Sequence, residues 1–516
     1  MKGHTPSSTL SPEAAADVRA IAGGGGLQIF GQLIPRGLSL LFTGVAVRIL
    51  GAAGYGVYRQ VSQILTVGGT VGAAGFEYAV VKEVAAARTT GEHGRVRGSI
   101  RTAVIGAGVV STLVMIGLLL WAPNLAGAFA ERAPNAETLT FLLRIGAPFI
   151  PLFALSQVLR YATHPYRSMI PSVVVGHIVR PMSRFLIGVA ALAAGFAVTG
   201  AVLSLVVSAA AGLVAAIWYV RRAPTDLERE AIPTSRIGSL VSFAFLQGTA
   251  ALLSVQTLGL GIIILGLYRS NAEVGLFAVA LSLLAPVNIL FTGIAPIWAP
   301  VVTDLIEKKE IDRLEELFQT VNRWLSTFGF PVLAALIVQP DVFLKLLAGR
   351  SGGTVESVVI VLALGHFFYV GTGPTSFILS MSGYPGINLA YSLLSVLICI
   401  GLGVLVVPNH GMFGMAWVMA IVTLVGNLAR LIHVKALIGI QPFGKTFFKP
   451  VFATLVAVVP MVVATLFESL AADAVGLFTA AVLYLIVLRS LGIDPQERHV
   501  FDELKKRLPR RRSSAG

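Results

Sequence analysis

Residues 169–195 read MIPSVVVGHIVRPMSRFLIGVAALAAG, an apolar stretch that nevertheless carries His177, Arg180 and Arg184. About 20 apolar residues are enough for a helix to cross the roughly 30 Å hydrocarbon core of a membrane. The three basic residues follow i, i+3, i+7 spacing, which places them on one face of such a helix. An arginine at a helix centre costs roughly 2.5–3.5 kcal/mol on insertion scales, so two on one face indicate a functional use.

The composition extends this conclusion to the whole chain. Its 516 residues are 55% hydrophobic and only 12% charged, whereas a soluble domain carries about 25% charged residues. So little sequence remains outside the membrane that a large soluble catalytic domain is excluded. The chain contains one cysteine, Cys399, which excludes intrachain disulfides and cysteine metal sites. We predict no cofactor and no metal centre.

The apolar stretches predict an all-α polytopic membrane protein with about fourteen transmembrane helices. The predicted spans are 25–49, 58–81, 102–122, 139–162, 169–195, 197–219, 238–266, 274–302, 324–347, 356–381, 387–407, 411–433, 447–467 and 470–489. Lysine and arginine are concentrated in the loops after spans 2, 6 and 8, so the positive-inside rule places both termini in the cytosol, at the cell (plasma or inner) membrane. The net charge of +14 follows this loop pattern, and we therefore predict no nucleic-acid partner.

The predicted domains follow from an internal repeat. Short motifs recur in the two halves 215 to 221 residues apart: Leu50-Gly51 with Leu265-Gly266, Gly56 with Gly275, Val80-Val81 with Val301-Val302, and His164-Pro165 with Tyr384-Pro385. Two six-helix units in one orientation are typical of transporters that bind substrate between pseudo-symmetric halves.

We therefore divide the chain into six parts. These are a cytosolic N-terminal segment (1–24), an N-terminal six-helix bundle (25–222), a cytosolic linker (223–237), a C-terminal six-helix bundle (238–434), two additional helices (435–489) and a basic cytosolic tail (490–516). The segment Thr303–Arg323 carries apolar residues at helical spacing between charges, which predicts a helix lying along the membrane surface.

Basic residues inside the N-terminal bundle are the main candidates for a site. Arg36 lies roughly 16 Å into span 1, at ~1.5 Å per residue. Arg160 on span 4 joins His177, Arg180 and Arg184 on span 5. Because arginine stays ionised and offers a planar fork of donors that matches phosphate oxygens, this set predicts an anionic, lipid-like substrate. Snorkelling or packing is the alternative, above all for Arg160 near the inner surface.

Two further residues of the N-terminal bundle bear on this hypothesis. Glu77 is the one acid well inside the bundle; it is a candidate ion-coupling site or a counter-charge for a nearby arginine. Pro181 directly follows Arg180, and because proline lacks an amide hydrogen it should bend span 5.

The turn Tyr55-Gly56-Val57-Tyr58, the charged loop after span 2 and the six-plus-six repeat with two extra helices resemble a known family. It comprises the polysaccharide transporters of the multidrug/oligosaccharidyl-lipid/polysaccharide (MOP) exporter superfamily, which include the O-antigen flippases, and the similarity covers residues 20–490. The resemblance implies a V-shaped pair of six-helix bundles that flips undecaprenyl- or dolichyl-pyrophosphate oligosaccharides from the inner to the outer leaflet. The repeat predicts alternating access, and the basic residues predict a cavity lined by arginines. The sequence contains no phosphate-binding loop, metal-ligand cluster or nucleophile elbow, so we predict that the protein is not an enzyme.

The implied partners are the lipid-linked oligosaccharide, membrane lipids, and glycan polymerases or glycosyltransferases of the same pathway. In the C-terminal bundle, polar residues are candidates for binding sugar hydroxyls, or serve as interhelical contacts. These are Gln247, Gln256, Asn288, His366, Asn388 and Asn427. The basic residues of that bundle, Arg269, Lys345 and Arg430, each lie near a predicted span end.

Four other classes of protein share some of these sequence features. A multidrug exporter of the same superfamily would need acids in its cavity for cationic drugs, whereas here arginines dominate. A lipid II flippase also has fourteen helices and a cationic cavity, so the sequence separates it poorly. A major facilitator transporter usually carries an Asp-Arg motif after span 2, and the loop from Lys82 to Arg101 has no aspartate. A glycan polymerase would need a catalytic pattern of acids, and the outer loop 123–138 offers only Glu131 and Glu137.

Overall fold

The computed structural model describes residues 12–130, 136–166, 170–234, 236–254, 258–349, 352–467 and 469–492. Throughout these ranges the ordered elements are helices, with no strand, which confirms the all-α class. The N-terminal half contains α1 (Pro12–Ala73), α2 (Phe76–Thr90), α3 (His93–Ala130), α4 (Ala136–Gly146), α5 (Phe149–Tyr161), α6 (Ile170–Ala193), α7 (Ala197–Arg222) and the short α8 (Asp226–Glu230).

The C-terminal half contains α9 (Ile237–Leu252), α10 (Leu260–Tyr268), α11 (Asn271–Leu283), α12 (Ala285–Glu307), α13 (Ile311–Val338), α14 (Pro340–Ala348), α15 (Thr354–Thr372), α16 (Thr375–Met381) and α17 (Pro385–Ile438). The two additional helices are α18 (Phe448–Thr465) and α19 (Leu470–Ser490). Two single 3₁₀ turns, His164–Tyr166 and Lys445–Phe447, complete the ordered elements.

The longest helices each extend over two predicted spans, although span 2 continues beyond the end of α1. α1 has 62 residues and α17 has 54, which at ~1.5 Å per residue far exceeds a bilayer. Each is broken at a glycine with positive φ, Gly51 (φ 69°) and Gly411 (φ 55°), a conformation that glycine adopts without the penalty of a Cβ atom. The Leu50-Gly51 motif of the repeat therefore marks a real break.

The structure confirms a multi-pass membrane protein, although the number of spans differs from prediction. Within the described ranges, ten helices are long and apolar enough to cross a membrane, or eleven if the bent pair Asn271–Leu283 and Ala285–Ile294 is one span. The exact count of fourteen is not confirmed. Predicted span 7 is divided into α9 and the nine-residue α10, and neither half reaches bilayer length on its own.

The same two predicted spans are interrupted in each half. Span 2 is interrupted at Ala74 and Gly75, and span 8 at Leu284. Span 4 is interrupted between α4 and α5, and span 10 between α15 and α16. The positions of these breaks do not follow the spacing of the short sequence motifs.

The surface of the helices is apolar, as a lipid-facing surface requires. Large side chains with more than two thirds of their area exposed include Leu120, Phe245, Leu405 and Phe478. A soluble monomer rarely exposes so much contiguous apolar surface. The buried core, in contrast, is continuous across both halves and includes Tyr55, Tyr58, Phe277, Trp298 and Phe318.

The predicted surface helix at Thr303–Arg323 is wrong. α12 ends at Glu307, a turn with Lys309 at φ 59° follows, and α13 runs without interruption from Ile311 to Val338. Leu314, Leu317 and Phe318 are at most 1% exposed. This apolar face of α13 therefore packs into the protein core and does not lie on lipid. The same helix continues into predicted span 9.

The ends of the chain and the linker differ in how far they are described. α1 begins at Pro12 and so includes part of the predicted segment 1–24, of which residues 1–11 lie outside the described ranges. Most of the predicted basic tail, residues 493–516, also lies outside them. The linker contains α8, which begins at a capping box formed by Thr225 and Glu228; this arrangement satisfies amide groups that the first turn would otherwise leave unpaired.

The two halves approach each other most closely at a pair of repeat-equivalent glycines. A Cβ atom on Gly56 would lie 1.8 Å from the carbonyl oxygen of Asn271, and one on Gly275 would lie 2.0 Å from that of Ala52. Each glycine therefore contacts the backbone of the residue four positions before the other glycine: Gly56 contacts Asn271, and Gly275 contacts Ala52. Close backbone approach at small residues is how helices pack tightly in membranes.

Candidate functional site

Span 5 contains a π-helical turn directly before its arginines. Residues Val174–Val179 form this turn, and the amide of Arg180 donates to the carbonyl oxygen of Val175. Pro181 cannot donate to the carbonyl of His177, and its ring would clash with that carbonyl in a regular α-helix. The wider turn accommodates both effects, and such π-bulges are frequent at functional sites.

Arg180 is held between spans 4, 5 and 6. Its Nη1 donates to Oε1 of Gln157 at 3.2 Å, and its guanidinium carbon lies 4.5 Å from the ring centre of Phe153. The aliphatic stem crosses Gly212, where a Cβ atom would lie 2.6 Å from Cγ of Arg180. Gly212 therefore makes the space through which Arg180 reaches span 4.

Arg184 points toward spans 1 and 2. Its Nη2 donates a hydrogen bond to the hydroxyl oxygen of Tyr58, and its guanidinium carbon lies 5.3 Å from the ring centre of Phe42. Tyr58 is fully buried. The aromatic faces interact favourably with the cation but supply no counter-charge.

The three remaining basic candidates lie in the same region. Nη1 of Arg160 reaches across to span 5, 2.6 Å from where a Cβ atom on Gly176 would lie. Nδ1 of the neighbouring His177 lies 3.8 Å from the equivalent point on Gly31 of α1. His177 is within electrostatic range of Arg36 and Arg160. Arg180 is within electrostatic range of Arg160 and Arg184. The structure thus brings all five residues together, and we call them the cationic cluster: Arg36, Arg160, His177, Arg180 and Arg184.

Several nitrogen atoms of the cationic cluster have no protein partner. Among the described residues, Nε of Arg160, Arg180 and Arg184 and Nδ1 of His177 are buried without a hydrogen bond. Buried polar groups normally find partners, and each exception calls for an explanation. All five members are partly exposed as whole side chains, so a ligand with several acceptor oxygens could approach them.

Glu77 lies beside this cluster without pairing tightly with it. Glu77 is 7% exposed, and its Oε2 has no hydrogen-bond partner among the described residues. It is within electrostatic range of Arg160, but in the described part of the chain no ion pair within 4 Å joins them. The carboxylate lies in the first turn of α2, where negative charge is favourable.

The basic residues of the C-terminal half fall into two groups. Arg269 pairs with Glu273 and Lys345 with Asp341, each at 2.9 Å. Arg430 forms no such ion pair with any described residue, and it lines a pocket instead of merely ending a span. Of the polar candidates predicted in this half, His366 and Asn427 line the pocket and Asn388 binds Arg430. The sequence did not predict that Arg430 joins them. It also missed Phe42 and Tyr58 as partners of Arg184, because nothing in their spacing singles them out.

No group of three or more His, Cys, Asp or Glu side chains within the described ranges could hold a metal ion. The polar chemistry of the N-terminal bundle is instead a set of clustered cationic hydrogen-bond donors. Residues 21–306, which include the whole cationic cluster, match the model of a family described as polysaccharide biosynthesis protein. The chain belongs to this family.

A relative and two solved structures place this family member more closely. The chain is 24% identical over 443 residues to stage V sporulation protein B of Bacillus subtilis (strain 168), with 80% of this chain and 82% of the relative covered. It superposes on the lipid II flippase MurJ in an inward closed conformation with a TM-score of 0.66 at 14% identity, covering 89% of this chain and 97% of MurJ.

A multidrug resistance MATE transporter of the MOP superfamily in its inward-facing conformation gives a TM-score of 0.65. The identity is 13%, and 80% of this chain and 98% of the transporter are covered. At such identities the likeness shows the fold alone. The family match shows membership of the polysaccharide biosynthesis family, and the two structures show that the chain has the fold of these multi-pass membrane transporters.

Proposed function

We propose that this protein is a flippase that moves a polyprenyl-pyrophosphate-linked oligosaccharide from the cytosolic to the outer leaflet for surface polysaccharide assembly. The observation that carries this proposal is the cationic cluster with its unpartnered buried nitrogens. A pyrophosphate brings several acceptor oxygens and at least two negative charges, which complement these donors. The family match to polysaccharide biosynthesis proteins supports the saccharide part of the substrate.

The physical role of the cluster is to reduce the cost of moving the pyrophosphate out of water. Transfer of an unpaired charge into a low-dielectric region is very costly. Arg180 and Arg184 supply fixed guanidinium groups on one helix, and neighbouring helices already hold both in place. Because these groups are ordered before substrate arrives, little side-chain entropy is lost on binding.

The charge of the cluster argues against a multidrug exporter, since cationic drugs would be repelled by five basic residues with Glu77 as their nearest acid. The same cluster would complement the pyrophosphate of lipid II. Parallel assays with a lipid II substrate and with a lipid-linked oligosaccharide distinguish these two substrates. The cluster lies in the first bundle, and with both termini in the cytosol, as proposed, Arg160 lies on its cytosolic side.

The test is translocation in proteoliposomes of a fluorescently labelled polyprenyl-pyrophosphate disaccharide, followed with a membrane-impermeant quencher. The triple variant Arg36→Gln, Arg180→Gln, Arg184→Gln should lose at least 90% of translocation. A matched control replaces the exposed arginines Arg101, Arg144 and Arg236 with glutamine and should retain most of it. Both variants should elute from size exclusion as the wild type does. Undiminished flipping by the cluster variant would refute the proposal.

Glu77 has two proposed roles, ion coupling and charge compensation within the cluster. If Glu77 couples transport to an ion, Glu77→Gln removes the acceleration that an imposed proton or sodium gradient produces. If it only compensates charge, the variant keeps the response to the gradient and changes only the affinity for substrate. The same proteoliposomes measure both quantities.

A further inference from the structure

A second polar pocket lies entirely within the C-terminal half. It encloses about 170 Å³ between the end of α9, the middle of α15 and both parts of α17. Its polar lining consists of Ser254, His366, Ser392, Ser395, Thr423, Asn427 and Arg430. Since one water molecule takes up about 30 Å³ in the liquid, the space equals about five or six waters, the size of one sugar ring.

Arg430 is the fixed cation of this pocket. Its Nε donates to Oδ1 of Asn388 at 2.9 Å, and its two terminal nitrogens donate to the carbonyl oxygen of Gly426 and to Oγ of Ser392, each at 3.2 Å. These partners are all neutral. The side chain is therefore held in one orientation while its positive charge stays uncompensated among the described residues.

The other polar groups offer acceptors. Ser395 donates its hydroxyl hydrogen to the carbonyl oxygen of Tyr391 at 2.7 Å and keeps its oxygen lone pairs. Asn427 donates to the carbonyl oxygen of Thr423 at 2.7 Å and keeps its own amide oxygen. His366 Nδ1 lies 3.0 Å from the carbonyl oxygen of Leu362, which can only accept, so Nδ1 carries the proton and Nε2 of the neutral ring is an acceptor.

A ligand that satisfies this pocket must combine one negative charge with several hydroxyl donors. We propose that the pocket is a second substrate subsite, which binds a carboxylate-bearing sugar residue, of the uronic acid type, in the lipid-linked glycan. The carboxylate faces Arg430, and the ring hydroxyls donate to Ser395, Asn427 and His366. A bare phosphate or phosphodiester headgroup fits less well, because its oxygen atoms would face the hydrogen-bond acceptors of Ser395, Asn427 and His366. The proposal rests on the proposed function for the rest of the substrate.

Gly426 leaves room for two side chains that line the pocket. A Cβ atom there would lie 3.1 Å from Oγ of Ser395 and 3.2 Å from Nη1 of Arg430, so an alanine would crowd both. Gly401 lies on the same long helix, and a Cβ atom there would have no other atom within 4 Å. Gly426→Ala and Gly401→Ala are therefore a matched pair, because both raise helix propensity but only the first displaces side chains of the pocket.

The experiment measures binding to the full chain in phosphatidylcholine nanodiscs with three probes. These are a polyprenyl pyrophosphate without sugar, the same lipid with a disaccharide ending in glucose, and the same disaccharide ending in glucuronic acid. The wild type should bind the glucuronic acid probe about tenfold more tightly than the glucose probe. Arg430→Gln and Gly426→Ala should bring this ratio close to one, whereas Gly401→Ala keeps it. If Arg430→Gln fails to fold, the glycine pair alone decides.

The outcomes separate this proposal from the proposed function. Equal wild-type affinity for the two disaccharides overturns the subsite while binding of all three probes upholds the flippase. The subsite is also overturned if Gly426→Ala keeps the preference for the glucuronic acid probe. It is overturned as well if adding phosphatidylglycerol to the wild type abolishes this preference, because the pocket would then be a lipid-headgroup site. Failure of every probe to bind overturns both proposals. Loss of pyrophosphate binding in Arg180→Gln, with the glucuronic acid preference retained, supports both.

Discussion

Arg184 on span 5 donates a hydrogen bond to the hydroxyl oxygen of Tyr58 on span 2, in the fully buried centre of the N-terminal bundle. This bond links the helix that carries most of the cationic cluster to the helix that forms the boundary between the two halves. It orients the guanidinium without neutralising it, since a tyrosine hydroxyl is uncharged at neutral pH.

We expect Tyr58→Phe to lower translocation several-fold, because Arg184 loses the partner that orients it. Removing one partner of a buried hydrogen bond also costs about 1–3 kcal/mol of stability. Tyr55→Phe is the matched control: Tyr55 is equally buried, but its hydroxyl contacts the neutral Thr43 at 3.1 Å. If both variants flip substrate at the same rate, the orienting role of Tyr58 is wrong.

Pro181→Ala should let span 5 return to regular α-helical pairing. The new amide can donate to the carbonyl of His177, which removes the reason for the π-helical turn and rotates His177 relative to Arg180. Thermal stability should stay equal or rise, while translocation falls several-fold. Pro123→Ala, an exposed proline inside α3, should change neither transport nor cluster geometry. A transport rate unaffected by Pro181→Ala would contradict a functional role for this turn.

The all-α membrane class could be predicted from the sequence, because the length of the apolar stretches and the low content of charged residues indicate membrane helices however the helices pack. The sequence predicted a turn at Tyr55-Gly56-Val57-Tyr58, whereas the structure places these residues in a helix and the break earlier, at Gly51. It did not predict the division of span 7 or the continuity of α13. Apolar residues such as Leu314 have the same helical spacing whether they face lipid or protein, so only packing distinguishes the two.

The site was predictable in part for a similar reason. Spacing places His177, Arg180 and Arg184 on one face of a helix, and burial of arginine in a membrane is costly enough to stand out. Their partners could not be predicted, because Gln157 and Tyr58 meet them through the packing of separate helices. Arg430 was predicted only to lie near a span end, because a pocket formed where α9 and α15 meet its own helix α17 leaves no pattern in sequence.

The contact between Gly56 and Gly275 predicts a strong effect of added methyl groups. Gly56→Ala and Gly275→Ala should each force the two halves apart, at a cost of about 1–3 kcal/mol or more, because the clash is with backbone that cannot rotate away. The double variant should cost less than the sum of the two, since both methyls open the same seam. Thermal denaturation followed by size exclusion measures these losses. Gly117→Ala, with no atom within 4 Å, should be neutral, and a comparable loss there would contradict the account.

Glu83 forms a buried ion pair with Arg95 and also accepts a hydrogen bond from the start of the C-terminal bundle. Oε2 of Glu83 lies 2.6 Å from Nη2 of Arg95, and Ser239 of α9 donates to Oε1 at 3.0 Å. Glu83→Gln should cost about 3–5 kcal/mol, because it leaves a buried arginine without its buried counter-charge. Glu92→Gln removes an exposed partner of the same arginine and should cost under ~1 kcal/mol. Equal unfolding free energies for the two variants would contradict a stabilising role for the buried ion pair between Glu83 and Arg95.

The most direct test of the central claim is a cryo-electron microscopy structure of the full chain with a polyprenyl-pyrophosphate disaccharide bound. We predict density for the two phosphates within hydrogen-bonding distance of the guanidinium groups of Arg180 and Arg184, with the polyprenyl tail extending into the membrane. Phosphate density away from these side chains, with Arg180 and Arg184 still bonded only to Gln157 and Tyr58, would contradict the account.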